Sequence, residues 1–166
     1  HARRAARVDA DGVLVTLDAQ DRSLWDRSLI AEGHELVREC LRRNRPGHYQ
    51  LLAAVNAVHT VAGTAGDTDW PQVLALYDQL DAVSPTPVVA LNRAVALAEV
   101  AGPEVALGVV DALPLDGYHP FHATRADLLR RLGRGSEAAS AYDRALELAT
   151  NPAERAFLTR RRAEVG

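Results

Sequence analysis

His119 and His122 stand three residues apart, a spacing that puts two imidazoles on one side of a helix turn, where both could reach one metal ion. No cysteine or acid at ligand spacing completes the set, so His119 reads better as a loop-closing donor and His122 as a packed ring. Asp67 and Asp69 could offer oxygens to magnesium, but an acid just ahead of Trp70-Pro71 has simpler work as a helix cap. Cys40 is the single cysteine, and His34 precedes it by six residues, which turns the two to different helix faces; no thiol–imidazole pair is expected. All 19 basic residues are arginine, so the phosphate-gripping lysine of a P-loop and any Schiff-base nucleophile are missing. Neither a Gly-rich phosphate loop nor a serine elbow occurs. No catalytic residue, metal or cofactor is expected, and the chain reads as a binding module, not an enzyme.

The elements that would carry a binding surface are helical. With 48% hydrophobic and 25% charged residues, the 166-residue chain has the composition of an ordinary folded domain. No apolar run approaches the roughly 20 residues that cross a membrane. A cytoplasmic setting is expected. Methionine is absent, so residue 1 reads as an internal point of a longer protein. Near the start, Arg7-Val8 and Val13 to Leu17 flank Asp9-Ala10-Asp11-Gly12, an acidic, Gly-ended turn; residues 1–25 are expected to be a hairpin or an extended linker. From Asp26 the apolar period becomes helical, with Leu29, Ile30, Leu36, Val37, Cys40 and Leu41 on one stripe until Asn44-Arg45-Pro46-Gly47. Cys40 on that stripe reads as a buried small hydrophobe.

Seven more helices follow by the same signals: 48–62, a third capped by Thr68 or Asp69 with Pro71 in its first turn and reaching Val83, then 88–100, 103–113, 119–132, 136–149 with Ser136 as cap, and a last one from Asn151-Pro152 to near Glu164.

Successive hairpins repeat one another. Gly133, Ala138, Tyr142 and Ala145 run small, small, aromatic, small at the intervals of a tetratricopeptide repeat from its turn through its second helix. Val73, Tyr77 and Leu80 keep the same frame, and Pro85 falls where the consensus proline closes a repeat. Tyr77 and Tyr142 lie 65 residues apart, close to two repeats of about 34, and Gly102, Ala106 and Val110 fit the unit between them. The expected fold of residues 26–166 is therefore all-α: about eight helices in tetratricopeptide-like antiparallel hairpins wound into a right-handed superhelix, with atypical ends.

In that frame Asn92 falls on a first-helix position that lines the concave groove, in a helix otherwise made of Val, Ala and Leu beside Arg93. Its amide suits the backbone of an extended peptide, or equally an internal bond to a loop carbonyl. Arg125 stands where a large apolar residue is expected and needs a carboxylate: Asp127, Asp116 or an acid of the Trp25-Asp26 segment. Tyr49, Trp70 and His119 complete the candidate partner-binding set. Arg42, Arg43 and Arg45, and Arg155 with Arg160 to Arg162, read as solvated basic faces. A net charge of -3 and a pI near 6.1 argue against nucleic-acid binding by this segment.

Several phrases go beyond a generic repeat: Gln20 to Asp26 (QDRSLWD), Pro46 to Leu51 (PGHYQL), Asp67 to Trp70, Ser84 to Ala94 (SPTPVVALNRA), Gly117-Tyr118-His119, and Arg125 to Gly133. In this order they resemble extracytoplasmic-function (ECF) sigma factors of the sigma-70 family that carry a tetratricopeptide-like C-terminal extension. The resemblance implies a parent that directs RNA polymerase in transcription initiation, with promoter-reading domains ahead of residue 1 and residues 1–25 as the linker from them. It implies RNA polymerase and those sigma domains as partners. A stand-alone tetratricopeptide adaptor that binds a peptide or protein is the other reading.

Overall fold

Acidic, hydroxyl and amide caps start several of the helices, because the first turn has amide hydrogens with no partner inside the helix. Asp26 accepts from the amides of Ser28 and Leu29, Asp69 from Gln72, Thr86 from Val89, and Asn151 from Ala153 and Glu154. The computed structural model describes residues 2–43 and 47–166. Among these are α1 (Arg27–Arg42), α2 (His48–Val61), α3 (Trp70–Val83), α4 (Pro87–Ala101), α5 (Pro103–Val110), α6 (His119–Arg131), α7 (Gly135–Leu148) and α8 (Pro152–Ala163). The expected stop at Asn44-Arg45-Pro46, and Arg45 of the first basic cluster, lie outside the described residues.

The fold is an all-α array in which each helix packs on the next, and α4 also touches α6. The repeat residues explain that packing. Ala94, Ala106, Ala126, Ala138 and Ala145 are fully buried, and their small side chains let neighbouring helix axes approach closely. Tyr142, 2% exposed, fills the remaining space within a core that runs from Leu91 of α4 to Leu158 of α8. Two smaller clusters, Leu51 with Leu80 and Val89, and Val55 with Val73 and Ala96, join α2, α3 and α4, and Tyr77 packs partly buried against both. Pro85 sits in the short α3–α4 connection. Gly102 and Gly133 turn the chain at φ of +92° and +72°, a region that glycine enters without steric penalty.

Three expectations need correction. Helix α5 ends at Val110 rather than 113, where the chain tightens into turns closed by the Ala112 and Leu113 amides. Ser136 is not the cap of α7: the helix already includes Gly135, and Arg134 precedes it without a side-chain cap. The stripe of α1 is not a buried one. None of its 16 residues is buried, Cys40 is intermediate, and Leu29, Leu36 and Leu41 are 45%, 57% and 57% exposed, because among the described residues α2 is the main element packed on this helix.

The segment ahead of α1 folds into an arm. A 3₁₀ turn at Arg4–Ala6 leads into a hairpin with an antiparallel bridge between Val8 and Leu14, turned at Gly12 with φ of +75°. Asp9 organises the turn by accepting from the amides of Asp11 and Val13. The chain returns through a second 3₁₀ turn, Arg22–Leu24, to Trp25, which is 5% exposed.

Candidate functional site

A cavity of about 890 Å³ lies on the concave side of the helices. Its walls come from the first helix of each hairpin and from α8: His59 of α2, Asn92, Val95 and Glu99 of α4, Thr124, Asp127 and Arg131 of α6, Phe157 and Arg161 of α8. Trp70 and Tyr77 of α3 form the floor at one end, and Thr16, Leu17, Asp18 and Arg22 of the arm close the side that an open groove would leave to solvent. Tetratricopeptide spacing accounts for the helical walls, since one face of every first helix must look inward. The arm is the part that spacing does not explain.

Most of the arginines around the cavity already have partners. Arg130 holds Asp127 at 2.6 Å, Arg131 holds Glu99 at 2.7 Å, and Arg161 pairs with Glu164 at 3.0 Å while lying over Phe157. Arg22 donates to the carbonyls of His59 and Ala62 at 2.9 and 2.6 Å, so it terminates α2, and its guanidinium stacks 4.6 Å from the Trp25 ring. Asn92 is exposed into the cavity with no hydrogen-bond partner among the described residues. Asp18 likewise forms no ion pair among them. The site therefore presents amide, hydroxyl and carboxylate groups between aromatic walls, an environment for hydrogen-bonding recognition.

Burial shapes its electrostatics. His59 packs edge-on to Trp70 at 5.3 Å, and burial, reinforced by the Arg3 and Arg22 charges, pushes its pKa below the ordinary 6.5. Burial also raises the Tyr77 phenol and, with the Asp127 carboxylate adding, that of Tyr142. Neither phenol ionises near neutrality. Among the described residues no group of three His, Cys, Asp or Glu side chains gathers to hold a metal ion, and no helix is long and apolar enough to cross a membrane.

Of the sequence-derived candidates, Asn92 and Trp70 meet in the cavity and the others do not. Arg93 turns away to Asp78 at 2.6 Å and ties α4 to α3. Tyr49 is 82% exposed at the start of α2, edge-on to His48. His119 reaches Glu154 at 3.4 Å and joins the starts of α6 and α8, while His122 meets the Asp116 carbonyl at 2.8 Å and the Phe121 ring. Arg125 does have a carboxylate, but none of those proposed. Its partner is Asp111, just beyond α5, at 2.7 Å, and the pair is half-exposed rather than buried. Asp67 closes a capping box with Thr64, and Asp69 caps α3. In the basic clusters Arg43 pairs with Glu39, Arg162 with Asp143 at 2.8 Å and Arg160 with Asp9 at 3.7 Å; Arg155 donates to the Leu146 and Ala149 carbonyls at the end of α7.

Residues 1–41 match a family of unknown function, DUF6596, and so cover the arm and nearly all of α1. Over 160 residues, 95% of this chain, the sequence is 46% identical to an uncharacterized protein of Rhizobium meliloti (strain 1021). The chain spans 38% of that relative's length. No solved structure matches.

Proposed function

We propose that this chain is the regulatory, protein-interaction domain of an ECF sigma factor, placed C-terminal to its promoter-reading domains and contacting them or RNA polymerase. The observation that carries the reading is the ordered set of six sequence phrases, extended by the surface of α1. Leu29, Leu36 and Leu41 are exposed on one helix, next to a 400 Å³ cleft lined by Arg3, Arg4 and Arg7. A single apolar stripe with a basic margin suits an acidic amphipathic segment of a protein partner. A net charge of -3 and the pairing of most cavity arginines with acids leave promoter contact to other parts of such a protein. The region is read as a binding module without cofactor.

The test is transcription from the cognate promoter by the full-length parent protein and by a form lacking residues 26–166. Changed output supports the reading; output equal to that of the intact protein rejects it. A Leu29→Asp, Leu36→Asp double variant refines the result. These exposed positions tolerate charge without unfolding, so lost output with retained helical circular dichroism assigns the contact to α1.

The stand-alone adaptor reading rests on Asn92, whose amide faces the cavity without a partner among the described residues. It predicts peptide capture by the isolated chain, with Asn92→Ala weakening it, and no dependence on a sigma domain.

A further inference from the structure

The concave face is not open, because the chain's own N-terminal hairpin crosses it. Both feet of this arm stand on α2 and the start of α1. The Asp26 amide donates to the Ala2 carbonyl at 2.8 Å, Arg3 donates to Asn56 of α2 at 3.1 Å, and Arg22 holds the last carbonyls of α2 over the buried Trp25. The tip rests on the opposite end of the array. There the Leu14 amide donates to the Ala153 carbonyl of α8 at 3.2 Å, Arg160 approaches Asp9 at 3.7 Å, and Val13 is covered.

These two attachments differ in kind. The feet join several direct bonds to a buried indole, whereas the tip relies on one hydrogen bond, a buried valine and an ion pair whose arginine side chain is 58% exposed and open to screening.

We propose that the arm is a hinged lid over the concave cavity: it pivots on Arg22 and Trp25 at α2, latches to α8 through Leu14 and Asp9, and exposes Asn92 to large ligands only when the latch releases. This mechanism does not rest on the sigma-factor reading, since every part lies within residues 2–166. Access to the groove is then an equilibrium set at α8, where Arg160 is itself part of the latch, and any partner that engages Arg160 competes with Asp9 for it.

Two measurements on the chain decide it. In hydrogen exchange, amides of residues 13–22 open on their own, at least about tenfold faster than those of α4 and α6. A Leu14→Cys, Ala153→Cys disulfide, built in a Cys40→Ser background, slows them to the rate of the helices, while reduction restores the fast exchange. In an Asn92→Cys, Cys40→Ser chain, Arg160→Ala speeds labelling by a bulky maleimide about threefold or more and leaves labelling by small iodoacetamide unchanged. Arm amides that exchange in step with α4 and α6 in the unmodified chain would mean a strut and overturn the lid. So would bulky labelling that Arg160→Ala does not change, with circular dichroism reporting both chains folded.

Discussion

At the scale of single residues, the side chains that looked most like chemistry are spent on structure. Arg125 illustrates this. Its spacing demanded a carboxylate, but the one it finds, Asp111, lies 14 residues upstream across the α5–α6 turns, where no local pattern pointed. Because both partners are partly exposed, Arg125→Ala should cost about 1 kcal/mol or less, read from the urea midpoint; a loss several times larger would mean a tightly buried pair. Gly133 was legible from sequence for a reason that holds in the structure. At φ of +72°, with nothing within 4 Å of an added Cβ, the obstacle to a side chain is backbone conformation alone. Gly133→Ala is therefore expected to cost about 1 kcal/mol and lower Tm by about 3 °C, measurable by calorimetry.

Among elements, the order and number of helices followed directly from caps, prolines and apolar period, because these act within a few residues. The state of α1 did not. Its amphipathic stripe reads as a core face, and only the packing shows that, among the described residues, little besides α2 covers it. A second lesson concerns α6 and α7, whose contact is built on Ala126, Ala138 and Ala145, all fully buried. Enlarging one of them forces the pair apart. Ala138→Leu is expected to destabilise by about 1–3 kcal/mol with the denaturant m-value unchanged, whereas the same substitution at exposed Ala31 of α1 should leave stability within about 0.5 kcal/mol. Equal effects at the two positions would contradict the close α6–α7 packing.

For the molecule as a whole, stability should fall with acid in two steps whose signs follow from the sites. His59 has a folded pKa below its ordinary 6.5, chiefly through burial, so its neutral form is favoured by folding. That contribution is complete above pH 6.5 and is lost as pH falls toward the lowered folded value. Protonation there sets a charge against Arg3 and Arg22, the feet of the arm. His59→Gln should flatten this first step in a Tm-versus-pH series. A second step belongs to Asp21, Asp26 and Asp67, held below the ordinary 3.8 by hydrogen bonds from Ser23, Ser28 and Thr64; their contribution is present above 3.8 and lost as pH falls through the lowered values. By itself the sequence determined the all-α hairpin repeat, its caps and turns apart from the Ser136 cap and the end of α5, and the inward position of Asn92, since each depends on residues within one or two turns of the chain. Only the tertiary structure decided that an N-terminal hairpin closes the groove and that Arg22 ends α2. It also decided that Asp9 meets Arg160. Those contacts join segments 40 to 150 residues apart, and their bonds run to backbone carbonyls or exposed charges, which leave no periodic trace in the sequence.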